Sequence, residues 1–280
     1  QGSPNFSTML HFAIFCIQFI AFAQEPADYV NPFIGTSNYG ATFPGPIAPR
    51  GMASISPFNV AGALNKLEKD SQWLSNPYVH ENTFLTGFSQ VNLSGVGCPD
   101  LGVLLLMPTT GELETNHLKY GSTYKNEVAK AGYYSTHIDK YDIKAEFTAS
   151  KRVGVSKFTF PNGQANVLLN LGLGLTNEQG AMVQVVSSTE IQGMRSVGTF
   201  CYNSPEAAYP VYFVAKFSKP ADRFGVWKKP AKYEGTEAQW MAYNGKNRLM
   251  EQSTKMVVGD SIGSYFSYNF EKTETVEVKI

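Results

Sequence analysis

The stretch Tyr133–Phe160 reads YYSTHIDKYDIKAEFTASKRVGVSKFTF, and its alternation decides the fold. It holds three runs: Tyr133–Asp139 (YYSTHID), Ile143–Ser150 (IKAEFTAS) and Val153–Phe160 (VGVSKFTF). Each alternates apolar and polar residues with a period of two, which places one set of side chains on one face of an extended strand. The breaks at Lys140-Tyr141-Asp142 and Lys151-Arg152 are short, so the three runs read as a β-meander.

The same pattern extends outward. Downstream, Pro161-Asn162-Gly163 signals a turn before Ala165–Leu173. Further strands are expected at Gln184–Ser188, Glu190–Arg195, Thr199–Tyr202, Val211–Ser218, Gln239–Tyr243, Lys255–Val258 and Tyr265–Tyr268. Upstream, Phe84–Asn92 alternates, and Val103–Met107 is a short apolar run closed by Pro108 and Gly111. Met52–Ser56 reads as a short strand and Ala61–Asp70 as a turn or loop. Asp28–Pro57 is too dense in Gly and Pro for regular structure, and is expected to pack through Phe33, Tyr39 and Phe43. Closely spaced short strands without a long helix predict an all-β chain of mostly antiparallel strands, a β-sandwich in one domain over residues 24–280. A closed barrel is the alternative.

The chain has 280 residues, 43% hydrophobic and 16% charged, with a formal net charge of zero. That balance leaves no electrostatic footprint for nucleic acid or an anionic membrane. Met9–Ala23 (MLHFAIFCIQFIAFA) is apolar but short of the roughly 20 residues that span a bilayer. It ends on Ala21-Phe22-Ala23, a small-x-small pattern, so residues 1–23 read as a signal peptide or as residues added ahead of the mature chain. Secretion or a periplasmic location follows. Of the three cysteines, Cys16 leaves with that segment and Cys98 and Cys201 remain. One disulfide between them is open in an oxidising compartment; two separate buried thiols are the plainer reading. At the other end, Glu274–Ile280 (ETVEVKI) alternates with no turn residue after it, and reads as an unfinished strand.

Nucleophile, zinc-protease and phosphate-loop motifs are absent from the sequence. Gly172-Leu173-Gly174 lacks the third glycine and the helix of a dinucleotide loop. His80, His117 and His137 are scattered and read as surface or strand histidines. Asp100, Asp139, Asp142 and Glu146 could supply the carboxylates a glycosidase needs, but turn chemistry and strand alternation account for them better. Two loops carry more information. Trp73 stands with Tyr78 and His80 in SQWLSNPYVHEN, where an aromatic can stack on a sugar ring or fold onto the core. Asn92–Gly102 (NLSGVGCPDLG) is a tight glycine-rich loop of the kind that carries sites at the ends of sandwiches.

DYVNPFIGT, GATFPGPIAPRGMASISP, GFSQVNLSGVGCPDLG and AGYYSTHIDKYDIKAEFTASKRVGVSKFTFP, in that order, resemble the N-terminal domain of glycoside hydrolase family 92, a family of exo-acting α-mannosidases. EIQG, Phe200-Cys201, YFVAKFSKP and GVW fit as well, so the resemblance runs from about Asp28 to Ile280. It implies a supersandwich-like β-sandwich that precedes an (α/α)6 barrel carrying the general acid, the general base and the calcium ligands. This chain would stop before that barrel, its own C-terminal catalytic domain. The implied activity is calcium-dependent, inverting and directed at mannose-containing glycans, of α-1,2 type. By position, Trp73 matches a family tryptophan of the mannose site. Pro49-Arg50-Gly51-Met52 matches a Pro-Phe-Gly-Met segment near the pocket, with Arg50 in place of the usual Phe. Trp73, Arg50 and Gly51 are therefore the expected substrate contacts. Gln90-Val91-Asn92 and Ala41 replace histidines common in the family, which leaves the linkage open. A stand-alone carbohydrate-binding module and a purely structural domain are the rival readings.

Overall fold

The computed structural model describes residues 25–72, 74–95, 97–176, 180–198, 205–228, 248–251 and 255–280. Gln1–Val30 stand as one unit, whose described part holds a 3₁₀ turn at Pro26–Tyr29. Asn31–Ile280 form the second. In it β1 (Ser56–Pro57), β2 (Phe84–Leu85), β3 (Phe88–Ser89), β4 (Val91–Asn92), β5 (Leu101–Val103) and β6 (Leu105–Thr110) precede a one-turn helix, α1 (His117–Tyr120). Then come β7 (Ser122–Lys130), β8 (Tyr133–Ile138), β9 (Ile143–Ala149), β10 (Gly154–Phe160), β11 (Gly163–Asn170), β12 (Ala181–Ser187) and β13 (Glu190–Val197). The last are β14 (Tyr209–Phe217), β15 (Arg223–Lys228), β16 (Arg248–Glu251), β17 (Met256–Gly259), β18 (Ile262–Phe270) and β19 (Glu274–Lys279).

Among the described residues every strand pairing is antiparallel. One large sheet has seven strands in the order β1-β3-β6-β11-β18-β15-β16, the other large sheet has ten in the order β17-β12-β13-β14-β19-β10-β9-β8-β7-β2, and β4 and β5 form a separate pair. Both orders are open, which makes this a sandwich and not a closed barrel. Aromatic rings join the two sheets. Phe88 of β3 meets Phe147 of β9, and Phe217 of β14 meets Phe266 of β18, each at 4.3 Å between centroids. Phe160 of β10 meets Phe270 of β18 at 6.0 Å. Such contacts fill the layer of about 10 Å between packed sheets.

The expected meander is present as β8, β9 and β10, hydrogen-bonded in sequence order. Other expectations need correction. Phe84–Asn92 is not one strand, because the chain changes sheets within it: β2 pairs with β7 in the larger sheet, β3 with β1 and β6 in the smaller, and β4 with β5. Pro108 does not close a strand but lies inside β6, opposite Val167. On its other side β3 reaches only Leu106, so the missing N–H of Pro108 faces no neighbour strand. Met52–Ser56 shortens to β1 and a single bridge between Ile47 and Ser54. β7 and β15 were not expected. The strands expected at Thr199–Tyr202 and Gln239–Tyr243, and residues 1–23, lie outside the described residues.

The smaller sheet is covered on both faces. Leu106 belongs to the core between the sheets, whereas its neighbour Leu105 joins a second core with Phe58, Val60, Ala61, Leu67, Leu74, Val79, Leu173 and Leu175. The cover over that outer face is loop, not helix, so its backbone polar groups need partners. Three buried asparagines supply them, each bonding both the C=O and the N–H of one distant residue. Asn59 holds Val79 at 2.8 Å and 2.8 Å, Asn82 holds Leu67 at 2.6 Å and 3.0 Å, and Asn65 holds Phe84 at 3.0 Å and 3.0 Å. A side-chain amide has one acceptor and a two-proton donor, so each asparagine acts as a one-residue piece of sheet edge. Among the described residues no helix is long and apolar enough to cross a membrane.

Candidate functional site

Three loops that stand out in the sequence meet at one place. Gly40–Phe43 of the Gly/Pro-rich segment lies against the loop that runs through Asn76 and against Ser94-Gly95. The Asn76 amide donates to the carbonyl of Gly40 at 3.0 Å and to that of Thr42. The Gly95 N–H and the Ser94 hydroxyl, the latter at 3.5 Å, reach the carbonyl of Ala41. Thr42 ties its own loop by donating to Ile34 O at 2.8 Å. Glycine is required at position 40, since a Cβ there would sit 2.0 Å from the Gly35 carbonyl oxygen. Asn76 is 2% exposed, yet among the described residues its Oδ1 has no partner. A buried acceptor without a donor is costly in a static core and common in a site.

Trp73 lies outside the described residues, but both its neighbours are placed. Leu74 is buried in the outer core, and Gln72 is half-buried with its Oε1 enclosed and unbonded among the described residues. Arg50 and Gly51 occupy an exposed turn against the β9–β10 hairpin. Arg50 sits in the left-handed region at φ 55°, the Gly51 N–H donates to Ala48 O at 2.8 Å, and the Met52 N–H donates to Lys151 O at 2.7 Å. The contacts of Arg50 and Gly51 thus run to Ala48 and the hairpin, and those of Asn76 to Gly40 and Thr42.

A half-buried acid stands behind these loops. β7 and β8 lose register between Lys125 and Val128, with Asn126 at φ 56°. This bulge turns Glu127 under the loop. Its Oε1 accepts from the Tyr134 hydroxyl at 2.6 Å, and the Tyr78 hydroxyl lies 3.0 Å and 3.2 Å from its two oxygens. Both tyrosines are fully buried. Burial pushes the Glu127 carboxyl above its usual range, against the lowering effect of the two phenols and of His80. Burial likewise drives the Tyr78, Tyr124 and Tyr134 phenols up, so all three stay neutral. The exposed His80 closes the group: its Nδ1 is 3.2 Å from the Tyr78 hydroxyl, its ring meets Phe33 edge-on at 5.5 Å, and its backbone N–H donates to Thr36 O at 2.9 Å.

Residues 29–280 match the glycosyl hydrolase family 92 N-terminal domain. The chain belongs to glycosyl hydrolase family 92. Among solved structures, the family 92 domain is similar to the GH92 α-mannosidase BT3965 of Bacteroides thetaiotaomicron, at 28% identity and a TM-score of 0.72. That match covers 90% of this chain and 32% of the other. The inverting GH92 mannosidase BT2199 of the same bacterium shares the fold at 21% identity, with a TM-score of 0.66 over 92% of this chain and 32% of that one. An uncharacterized secreted glycosidase of Arthroderma benhamiae is 27% identical over 207 residues, 68% of this chain and 25% of that protein. The chain thus spans between a quarter and a third of the length of these relatives.

Calcium takes six to eight oxygen ligands, carboxylates foremost. Among the described residues of the family 92 domain no group of three or more acidic, histidine or cysteine side chains is placed to hold a metal ion. The carboxylates weighed from sequence serve the fold. Asp139 pairs with Lys125 at 2.8 Å, Asp142 with His137 at 3.3 Å, and Glu146 with Lys144 and Lys157. Asp100 accepts from the N–H groups of Leu101 at 2.8 Å and Gly198 at 3.2 Å and from the Tyr209 hydroxyl at 2.9 Å, pinning the Asn92–Gly102 loop. In that loop Cys98 is disulfide-bonded, which corrects the reading of two separate thiols. Its partner, like Cys201, lies outside the described residues. Glu127, Tyr134 and Asn76 escaped the sequence reading. The one local signal was Asn126-Glu127, a polar pair that breaks the alternation of β7.

Proposed function

We propose that this domain is the N-terminal part of a secreted or periplasmic, calcium-dependent, inverting α-mannosidase that acts on mannose-containing glycans, probing α-1,2 linkages. One observation carries the reading: the family match spans residues 29–280, while an α-mannosidase with 28% identity is about three times as long. The secreted relative supports export. In this reading Trp73, Arg50 and Gly51 contribute to the pocket wall. The acid, the base and the calcium ligands belong to the portion that the relatives have in addition. Bound there, calcium would position and polarise mannose hydroxyls. Inversion requires the acid and base carboxyls to stand about 6.5–9.5 Å apart, with room for a water.

The test uses an aryl α-mannoside. Residues 24–280 alone are expected to give no turnover, since a pocket wall without acid and base moves no proton. A longer chain carrying the additional portion is expected to release β-mannose first, as read by proton NMR, and to lose activity in chelator. Turnover by residues 24–280, or release of α-mannose first, would defeat the proposal.

A further inference from the structure

The exposed imidazole of His80 is held from behind by a chain of hydrogen bonds. Its Nδ1 faces the Tyr78 hydroxyl at 3.2 Å, and that hydroxyl faces both oxygens of Glu127. Tyr78 has one proton to give, and a carboxylate only accepts. The proton therefore goes to Glu127, and the Tyr78 oxygen is left as an acceptor. Its neighbour must then donate, which only the Nδ1–H form of His80 can do. Glu127 cannot turn away, because Tyr134 holds Oε1 at 2.6 Å and the bulge fixes its backbone. Tyr124, the third phenol here, also reaches the Tyr78 hydroxyl, but it donates to Asn82 O at 2.9 Å and accepts from Asn59 Nδ2 at 2.6 Å, and the carboxylate of Glu127 is the stronger acceptor for the Tyr78 proton.

The consequence lies on the outer side of the ring. With Nδ1 protonated, Nε2 carries the lone pair. The side chain is exposed, and among the described residues no group bonds Nε2. Phe33 fixes the plane of the ring from its edge. The next residue, Glu81, is a carboxylate kept below its usual range by the Asn38 N–H at 3.0 Å. An acceptor nitrogen beside an ionised carboxylate suits donors and repels anions.

We propose that His80 is a ligand-binding residue whose Nε2 accepts a hydrogen bond from a hydroxyl of a neutral sugar, with Tyr78 and Glu127 as positioning residues. The sugar rests on the glycosidase reading; the tautomer does not. Tautomer and ligand are separated by long-range ¹H–¹⁵N NMR of the labelled chain at pH 8, which reports which ring nitrogen holds the proton. Wild type is expected to show His80 as Nδ1–H. Tyr78→Phe removes the acceptor and Glu127→Gln reverses the direction of the chain, so both are expected to return His80 to the Nε2–H form that free imidazoles favour. Methyl α-mannoside is expected to move the Nε2 resonance in wild type, with an affinity lost roughly fivefold in Tyr78→Phe, the effect of one neutral hydrogen bond. Glycerol at equal hydroxyl concentration is the control, and an unchanged amide spectrum outside the cluster shows that each variant folds. An Nε2–H tautomer in wild type, or one that both variants leave unchanged, overturns the relay. The expected tautomer with no mannoside-specific shift overturns the binding role. Failure of the mannosidase reading shows separately, as no mannoside turnover by the longer chain.

Discussion

Glu127→Gln isolates the cost of a half-buried charge. Gln is nearly isosteric, so its Oε1 still accepts from Tyr134 while its amide donates to the oxygen of Tyr78. What changes is the charge. The folded protein holds the Glu127 carboxyl above its usual range, chiefly through burial. A carboxyl raised on folding binds its proton more tightly in the native state, so its contribution is fully present below the unfolded value near pH 4.3 and is lost as pH rises through the folded one. Each unit of such a shift corresponds to about 1.4 kcal/mol. The variant should therefore equal wild type at pH 4 and be the more stable of the two at pH 8, with the difference opening between those values. Urea unfolding at pH 4, 6 and 8 measures this, provided the m-value is unchanged. Glu127→Ala is the contrast: it strips the acceptor from two fully buried phenols and should cost roughly 2–5 kcal/mol at every pH. A Gln variant less stable than wild type at pH 8 would refute the reasoning, for it would mean that the two charged hydrogen bonds outweigh burial.

Three further outcomes follow from the packing. Asn82→Ala removes the partners of both Leu67 groups and of the Asn59 carbonyl, and should lower stability by about 3–5 kcal/mol in urea unfolding. Gly40→Ala places a methyl 2.0 Å from the Gly35 oxygen; the loop must move, and amide hydrogen exchange should accelerate at Gly40–Thr42 and at Gly95 while the β9–β10 hairpin stays protected. Phe266→Ala removes a fully buried ring that touches Phe217 at 4.3 Å and Phe224 at 5.9 Å, and should cost about 3–5 kcal/mol by thermal or chemical denaturation.

The meander of β8, β9 and β10 was legible because each strand has one face on the core and one in water, so the sequence alternates. β7 was not, since its bulge shifts the period in mid-strand and its inward acid looks like a solvent-facing one. Phe84–Asn92 looked like one strand because alternation is local, whereas the crossing from one sheet to the other at Thr86-Gly87 depends on partners 18 to 39 residues away. The loops of the candidate site were visible by their Gly, Pro and aromatic content. Their convergence was not, since it is made by side-chain amides such as Asn76 and Asn82 that bond backbone, and no spacing announces which carbonyl an asparagine will find. Glu127 shows the same limit from the other side: its residue type suggested solvent, and only the loop folded over it makes it half-buried.

The asparagine network also bears on why the loops can serve as a wall. A sugar pocket gains affinity and rate from groups already in place, and loops ordinarily lack that rigidity. Here the loops between Phe58 and Val79 form the second hydrophobic core over the smaller sheet, and Asn59, Asn65 and Asn82 give their backbone the paired hydrogen bonds that a strand would have had. The same chain then runs through Asn76, Tyr78 and His80. Rigidity made in the outer core is thereby passed to the junction with Gly40 and to the His80–Tyr78–Glu127 chain. Weakening the core at Asn82 and weakening the chain at Glu127 should therefore differ in kind. The first loosens every loop at once, and the second leaves the loops in place but changes which nitrogen of His80 carries the proton.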